Sequence, residues 1–197
     1  KDFVEFGTPP TPGQRNDLSH ATGLITSGAS MFEVASSCPE TFVKFGRGLR
    51  DLALTLQRPY DHSQTRGVWL YGPPGTGKSH AARNLDPEAY LKPQSKWWDG
   101  YANEKTVILD DLDTNVLGHY LKIWADKYAC TGETKGGTIH LQHRMFIVTS
   151  NYHPEDLWKE EHEAQMLAAV LRRFNVIEKT TRDQLVDHLA VNFNDET

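Results

Sequence analysis

Three short apolar runs organise the second half of the chain. Val68, Trp69, Leu70 and Tyr71 form the first, Val107, Ile108 and Leu109 the second, and Met145, Phe146, Ile147 and Val148 the third. Unbroken apolar runs of this length, bounded by polar turns, suit strands buried on both faces of a parallel sheet. Helical spacing between and after them predicts helices over 78–85, 115–128 and 155–174. Alternating strands and helices predict an α/β domain in three layers, with a central, mostly parallel sheet.

Before residue 66 the period is helical. Leu18, Ala21, Ile25 and Ala29 share one side of a helix capped by Asp17. Ser30 and Glu33 have the spacing of a capping box opening a second, short helix that Pro39 ends. Phe42, Phe45, Leu49, Leu52, Ala53 and Leu56 repeat at helical spacing over 40–57, and Arg58-Pro59 stops that helix. These observations predict a linker over 1–16, where GTPPTPGQRN keeps the backbone extended. A small all-helical domain follows over 17–60, an α/β domain over 61–178 and a polar tail over 179–197 with a last helix near 181–190. The helical domain either packs on the main one or mediates self-association.

Composition narrows the classes. The 197 residues are 24 % charged and 38 % hydrophobic. No apolar run approaches the roughly 18 residues of a membrane span, and no basic–apolar–small leader pattern is visible, so no membrane partner is expected. The chain begins at Lys1 rather than Met and is read as a piece of a longer protein. The balance of 21 basic to 26 acidic residues, net −5, argues against a general polyanion binder, so any nucleic-acid contact must come from a local basic element. Cys38 and Cys130 are too isolated for a metal knuckle, and a disulfide framework is not expected.

The chemistry begins at the end of the first apolar run. Gly72-Pro73-Pro74-Gly75-Thr76-Gly77-Lys78-Ser79 fits G-x-x-x-x-G-K-[ST], placed between a predicted strand and a predicted helix. The glycines let backbone N–H groups curl round a β-phosphate, and the helix N-terminus adds partial positive charge. Lys78 would bridge β- and γ-phosphates, and the Ser79 hydroxyl would bind Mg²⁺ of a bound ATP. Asp110 and Asp111 close the second strand. Asp110 is expected to hold Mg²⁺ through water, and Asp111 to orient or deprotonate the attacking water. The third strand runs through Thr149 and Ser150 to Asn151, whose amide offers a donor and an acceptor to a γ-phosphate and a water without adding charge. At about 100° per residue, Arg172 and Arg173 fall more than about 90° from the stripe of Leu167, Val170, Leu171 and Phe174, and so are expected to point away from their own core. That suits either a solvated helix end or a guanidinium aimed at a neighbour's γ-phosphate.

The ordered series GPPGTGKS, KWWDGY, VILDDL, ETKGGTI, FIVTSN and LRRF resembles the superfamily 3 helicase domain of the replication initiator (Rep) proteins of small circular single-stranded DNA viruses, circoviruses in particular. GTPPTPGQRNDLS and PETFVKFGRGLRDL resemble the region before that domain, so the likeness covers about 6–177. It implies an AAA+-type ATPase that forms a hexameric ring, moves on single-stranded DNA and works in the host nucleus. On that resemblance Lys78, Ser79, Asp110, Asp111 and Asn151 fall on the nucleotide site, and Arg172 and Arg173 on the region of the trans-acting arginine. Glu133 to Thr138 fall on a hairpin that enters the ring, with Lys135, Gly136 and Gly137 as its DNA contact. Residues 17–57 fall on the oligomerisation domain. Full-length relatives begin with a metal-dependent endonuclease that nicks the origin with a tyrosine, and that site is expected before Lys1. His140-Leu141-Gln142, Tyr90-Leu91-Lys92 and Tyr120-Leu121-Lys122 resemble its motifs only by chance, because they lie inside the ATPase domain.

Other residues read more plainly. Trp97 and Trp98 are expected to pack in the core rather than stack on bases, and no role follows for Lys96, Asp99 or Tyr101. His140 and His143 have no third metal ligand near them in sequence. Two rivals stay open. A P-loop kinase needs a lid with several arginines and an acceptor site, and would yield phosphorylated acceptor instead of free phosphate. An assembly platform would use ATP only to oligomerise, without turnover stimulated by single-stranded DNA.

Overall fold

The computed structural model describes residues 16–184, which divide into two compact units with the boundary between Gln57 and Arg58. The first is helical: α1 (Asn16–Thr26), α2 (Met31–Ser37) and α3 (Pro39–Leu56). Ser30 and Glu33 form the reciprocal capping box at the start of α2. Pro39 opens α3 as well as closing α2, because a first-turn proline lacks only an N–H that has no helical partner there. Ala21, Ile25, Val34 and Leu49 are buried as one cluster, whereas Phe32 and Val43 are 80 % and 85 % exposed.

The second unit is an α/β domain. In chain order it holds β1 (Gly67–Tyr71), α4 (Lys78–Leu85), β2 (Tyr90–Leu91), β3 (Thr106–Leu109), α5 (Gly118–Trp124), β4 (Thr131–Thr134), β5 (Gly137–His140), β6 (Met145–Ser150), α6 (Pro154–Leu157), α7 (Ala164–Leu171) and β7 (Phe174–Glu178). Five strands make one sheet in the order β2-β3-β6-β1-β7, and every pairing in it is parallel. β4 and β5 form a separate antiparallel hairpin. The apolar runs are buried on both sheet faces, with Trp69, Val107, Leu109, Phe146 and Val148 in one cluster and Val68, Ile108, Met145 and Ile147 in the other. This is the α/β P-loop architecture that the strand–helix alternation implied.

Two helix expectations are corrected. The helix expected over 155–174 is broken. His153 and Asp156 cap the short α6, a 3₁₀ turn spans Glu161–Glu163, and the helix resumes at Ala164. Phe174 to Glu178 then pair with β1 as a fifth strand, in the register Gly67↔Phe174 to Tyr71↔Glu178. A Cβ on Gly67 would lie 2.5 Å from the Arg173 carbonyl oxygen, so glycine permits this close entry. The helix expected over 115–128 is shorter, because beyond Ala125 the backbone turns to serve Arg66. That buried guanidinium takes the carbonyls of Asp126, Tyr128 and His143. The tail's predicted helix near 181–190 falls mostly outside the described residues, and 181–184 are not helical.

Candidate nucleotide-binding site

The P-loop joins β1 to α4, and its geometry follows from its glycines. Gly77, the residue before α4, has φ +80°, a left-handed conformation that side chains rarely adopt. Gly72 has no room for a side chain, since a Cβ would fall 2.1 Å from the Lys179 carbonyl oxygen. Thr76 Oγ1 donates to the Pro73 carbonyl across the loop, and Pro74 and Gly75 lie exposed at its crown.

Lys78 is buried at the first position of α4. Its ammonium donates to the carbonyls of Gly72 (2.8 Å) and Pro73 (2.9 Å) and to Asn151 Oδ1 (2.9 Å). All three of its protons are used. Burial lowers the Lys78 pKa, against the opposing pull of Asp111 and Asp110. β1 lies beside β6, which lies beside β3, so the parallel sheet delivers Lys78, Asn151 and the two acids to the same edge, outside the carboxyl ends of the strands.

Thr149 organises the acids. Its hydroxyl donates to Asp110 Oδ1 at 2.6 Å and accepts from the Asp111 N–H at 2.8 Å. Asp111 sits at φ +55°, a left-handed conformation that aspartate tolerates better than most residues. Asn151 Nδ2 reaches Asp111 Oδ1 at 3.4 Å. Burial raises the Asp110 pKa, but hydrogen bonds from Thr149, Ser79 and Arg83 more than offset it and leave the carboxyl below its ordinary value. A hydroxyl hydrogen-bonded to an ionised carboxylate is an all-oxygen donor pair. It fits a small hard cation that keeps waters and takes the rest of its shell from phosphates. Arg83 also pairs with Asp110, at 2.9 Å.

The arginine pair separates. Arg172 follows the last residue of α7 and is exposed, lining a cavity of about 630 Å³ with Lys122, Ile123, Tyr128 and Ala168. Arg173 does not point outward as expected. Its Nε and Nη2 both close on Asp126 Oδ2 at 2.7 Å, and its Nη1 donates to the Ala169 carbonyl. The helical projection fails there because α7 stops at Leu171 and the chain turns into β7. Both arginines precede β7, whereas the P-loop follows β1, and the two strands run parallel in matched register. They therefore stand at opposite ends of strands about 16 Å long.

The β4–β5 hairpin turns through Lys135 and Gly136, the latter at φ +120°. Lys135, Gly136 and Gly137 are exposed at its tip, away from Lys78 in sequence and on a separate sheet. The tryptophan pair is split. Trp98 is fully buried, and Trp97 is 36 % exposed.

Several residues escaped sequence reasoning. Thr149 stands inside the strand end FIVTSN, and its hydroxyl two residues before Asn151 was a usable signal. Arg83 lies on the helix that Lys78 opens. Gln94 donates to the carbonyls of both Asp110 and Asp111, with no local pattern to announce it. After β7, Lys179 is buried, its ammonium gathering the carbonyls of Thr181, Arg182 and Gln184. This brings Arg182 Cγ within 3.6 Å of where a Gly77 Cβ would stand.

Comparison with known proteins supplies the lineage. A family model described as RNA helicase matches residues 68–152, from β1 through the end of β6. The chain is 39 % identical over 167 residues to the replication-associated protein of pigeon circovirus, covering 84 % of this chain and 52 % of that one. It is 38 % identical to that of porcine circovirus 2, covering 87 % and 55 %, and 36 % identical to that of porcine circovirus 1, covering 92 % and 60 %. The chain thus spans a little over half the length of the relatives it matches. With the parallel sheet, the P-loop and the polar cluster at the strand ends, these likenesses support a superfamily 3 helicase domain in this chain, similar to that region of circovirus replication-associated proteins.

Proposed function

We propose that this chain is the ATP-dependent DNA helicase module of a viral rolling-circle replication initiator, hydrolysing ATP in an oligomeric, hexameric ring to move on and unwind DNA. The observation that carries the reading is the convergence of Lys78, Asn151, Asp110 and Asp111 at one sheet edge, with Thr149 bridging the two acids.

The residues divide the work by position. The P-loop amides of 72–79 and the first turn of α4 cradle the phosphates. Lys78, already desolvated and held beside Asn151, gives its charge to the γ-phosphate, where charge develops in the transition state. Ser79 and Asp110 would hold Mg²⁺, which when bound neutralises charge on the β- and γ-oxygens. Asp111 orients the attacking water and takes its proton, and Asn151 holds that water against the phosphate.

The position of Arg172 supports a ring. It lies at the opposite end of the sheet from its own P-loop, so its exposed guanidinium serves a neighbouring subunit's γ-phosphate. Lys135 supplies the contact to single-stranded DNA. A net charge of −5 leaves no broad basic face, so positive charge is concentrated by gathering hairpin tips around one channel.

Phosphate release measured with and without single-stranded DNA, alongside particle size with and without nucleotide, tests this reading. Free phosphate stimulated by DNA, from a nucleotide-assembled ring, is the expected result. Phosphate on an acceptor would mean a kinase, and assembly without turnover a platform.

A further inference from the structure

The segment 92–99 touches both halves of the proposed machine. It leaves the sheet beside β3, where Lys92 N–H donates to the Ile108 carbonyl, next to the acids. Gln94 Nε2 then donates to the carbonyls of Asp110 (3.1 Å) and Asp111 (2.9 Å). Two residues on, Lys96 Nζ meets Glu133 Oε2 of β4 at 2.7 Å. Trp98 N–H donates to the Glu133 carbonyl at 2.8 Å. Asp99 Oδ1 accepts the N–H of Lys135 itself at 3.0 Å.

The connection is stiff. Lys92 is buried with its ammonium over the rings of both Trp98 and Trp124, and it binds the carbonyls of Pro93, Ser95 and Trp97, pinning the loop from within. Burial brings its pKa down to about 8, so it enters as a structural cation at neutral pH. Trp98 packs closely on the hairpin because Gly132 of β4 has no side chain; a Cβ there would come 2.6 Å from the indole. From Gln94 to Asp99 even an extended chain spans no more than about 18 Å.

We propose that the segment 92–99 is a brace coupling nucleotide state to the DNA hairpin, with Gln94 holding the backbone of Asp110 and Asp111, and Lys96 and Asp99 setting the hairpin tip. Gln94, Lys96 and Asp99 are positioning residues, acting through the acids and through Lys135. The brace rests on the reading of the P-loop as an ATP site and the hairpin as its DNA contact. The Lys96–Glu133 pair is over 40 % exposed on both sides, so it adds little to fold stability. Its place between the two sites is where it acts.

Coupling is reciprocal and is read as a ratio of affinities. The affinity for labelled single-stranded DNA is measured with a non-hydrolysable ATP analogue and with ADP, at matched oligomeric state. Wild type is expected to show a ratio of about 5–150-fold. Lys96→Ala and Gln94→Ala should each bring the ratio within about twofold of one, with the double variant no worse than either, because both interrupt one connection. Lys96→Arg should keep the ratio, and the exchange Lys96→Glu with Glu133→Lys should restore it, with melting temperature and fluorescent-nucleotide affinity near wild type throughout. A wild-type ratio in Lys96→Ala overturns the brace, and so does a loss that tracks a fall in melting temperature and is not rescued by Lys96→Arg. A wild-type protein whose DNA affinity ignores nucleotide overturns the parent reading as well.

Discussion

Arg173 closes on Asp126 at 2.7 Å with both side chains less than a fifth exposed, while Arg172, one residue earlier, is exposed. Adjacent arginines therefore have separable roles. Removing one member of a buried pair strands the other charge, at a cost of about 3–5 kcal/mol. Arg173→Ala should lower the melting temperature strongly. Arg172→Ala should leave it unchanged and slow ATP hydrolysis, by as much as ~10³–10⁵ if the arginine acts in trans. Mixing Arg172→Ala with Lys78→Ala subunits should recover turnover at interfaces pairing an intact P-loop with an intact arginine. Mixed rings without recovery would remove Arg172 from the trans role.

Thr149 gives a sharper test of the acid pair than the acids do. Thr149→Val keeps shape but leaves Asp110 Oδ1 and the Asp111 N–H without their shared hydroxyl, a loss of about 1–3 kcal/mol. Turnover should fall about 10–100-fold, with Asp111→Asn slower still and Lys78→Ala inactive. Steady-state phosphate release beside fluorescent-nucleotide titration separates the effects: Asp111→Asn should still bind Mg-ATP, since Asp110 and Ser79 remain.

Lys135 sits at a hairpin tip whose backbone is held by Asp99. Lys135→Ala should weaken single-stranded DNA binding for every sequence tested. It should also flatten the plot of log affinity against log salt by about 0.7 for each phosphate that the lysine no longer neutralises. DNA-stimulated hydrolysis and strand separation should fall with it. An unchanged salt slope would place the DNA grip elsewhere, with Lys122, Lys127 and Arg144 the next to examine.

His143 makes stability depend on pH. It is fully buried, stacks on Trp98, and hydrogen-bonds the Trp124 carbonyl through Nε2, while its Nδ1 has no hydrogen-bond partner among the described residues. Burial holds its pKa well below 6.5, with Arg66 adding to the effect. The unfolded chain therefore binds a proton near pH 6 that the folded chain refuses. Stability is complete above pH 6.5 and is lost as pH falls toward the folded value, by about 1.4 kcal/mol per pH unit. Urea midpoints between pH 8 and 5 should show this slope, and His143→Phe should flatten it.

The features legible in the sequence are those written in contiguous residues. The P-loop, the acids after β3 and the amide after β6 each declare themselves by strand, turn and side chain within about ten positions, and parallel strands bring such ends together. The Ser30–Glu33 box and the turn at Lys135-Gly136 are likewise local. The strand β7 was hidden because Phe174 to Glu178 continue an apolar helical stripe. Only pairing with β1, through the space that Gly67 leaves, makes them a strand. The direction of Arg173 was hidden for the same reason, since it is set by Asp126, a residue distant in sequence. Gln94, Thr149 and Lys96 draw their roles from partners 16 to 39 residues away. Local pattern set the chemistry at each strand end. Long-range pairing, which no spacing rule encodes, decided which side chains hold that chemistry in place.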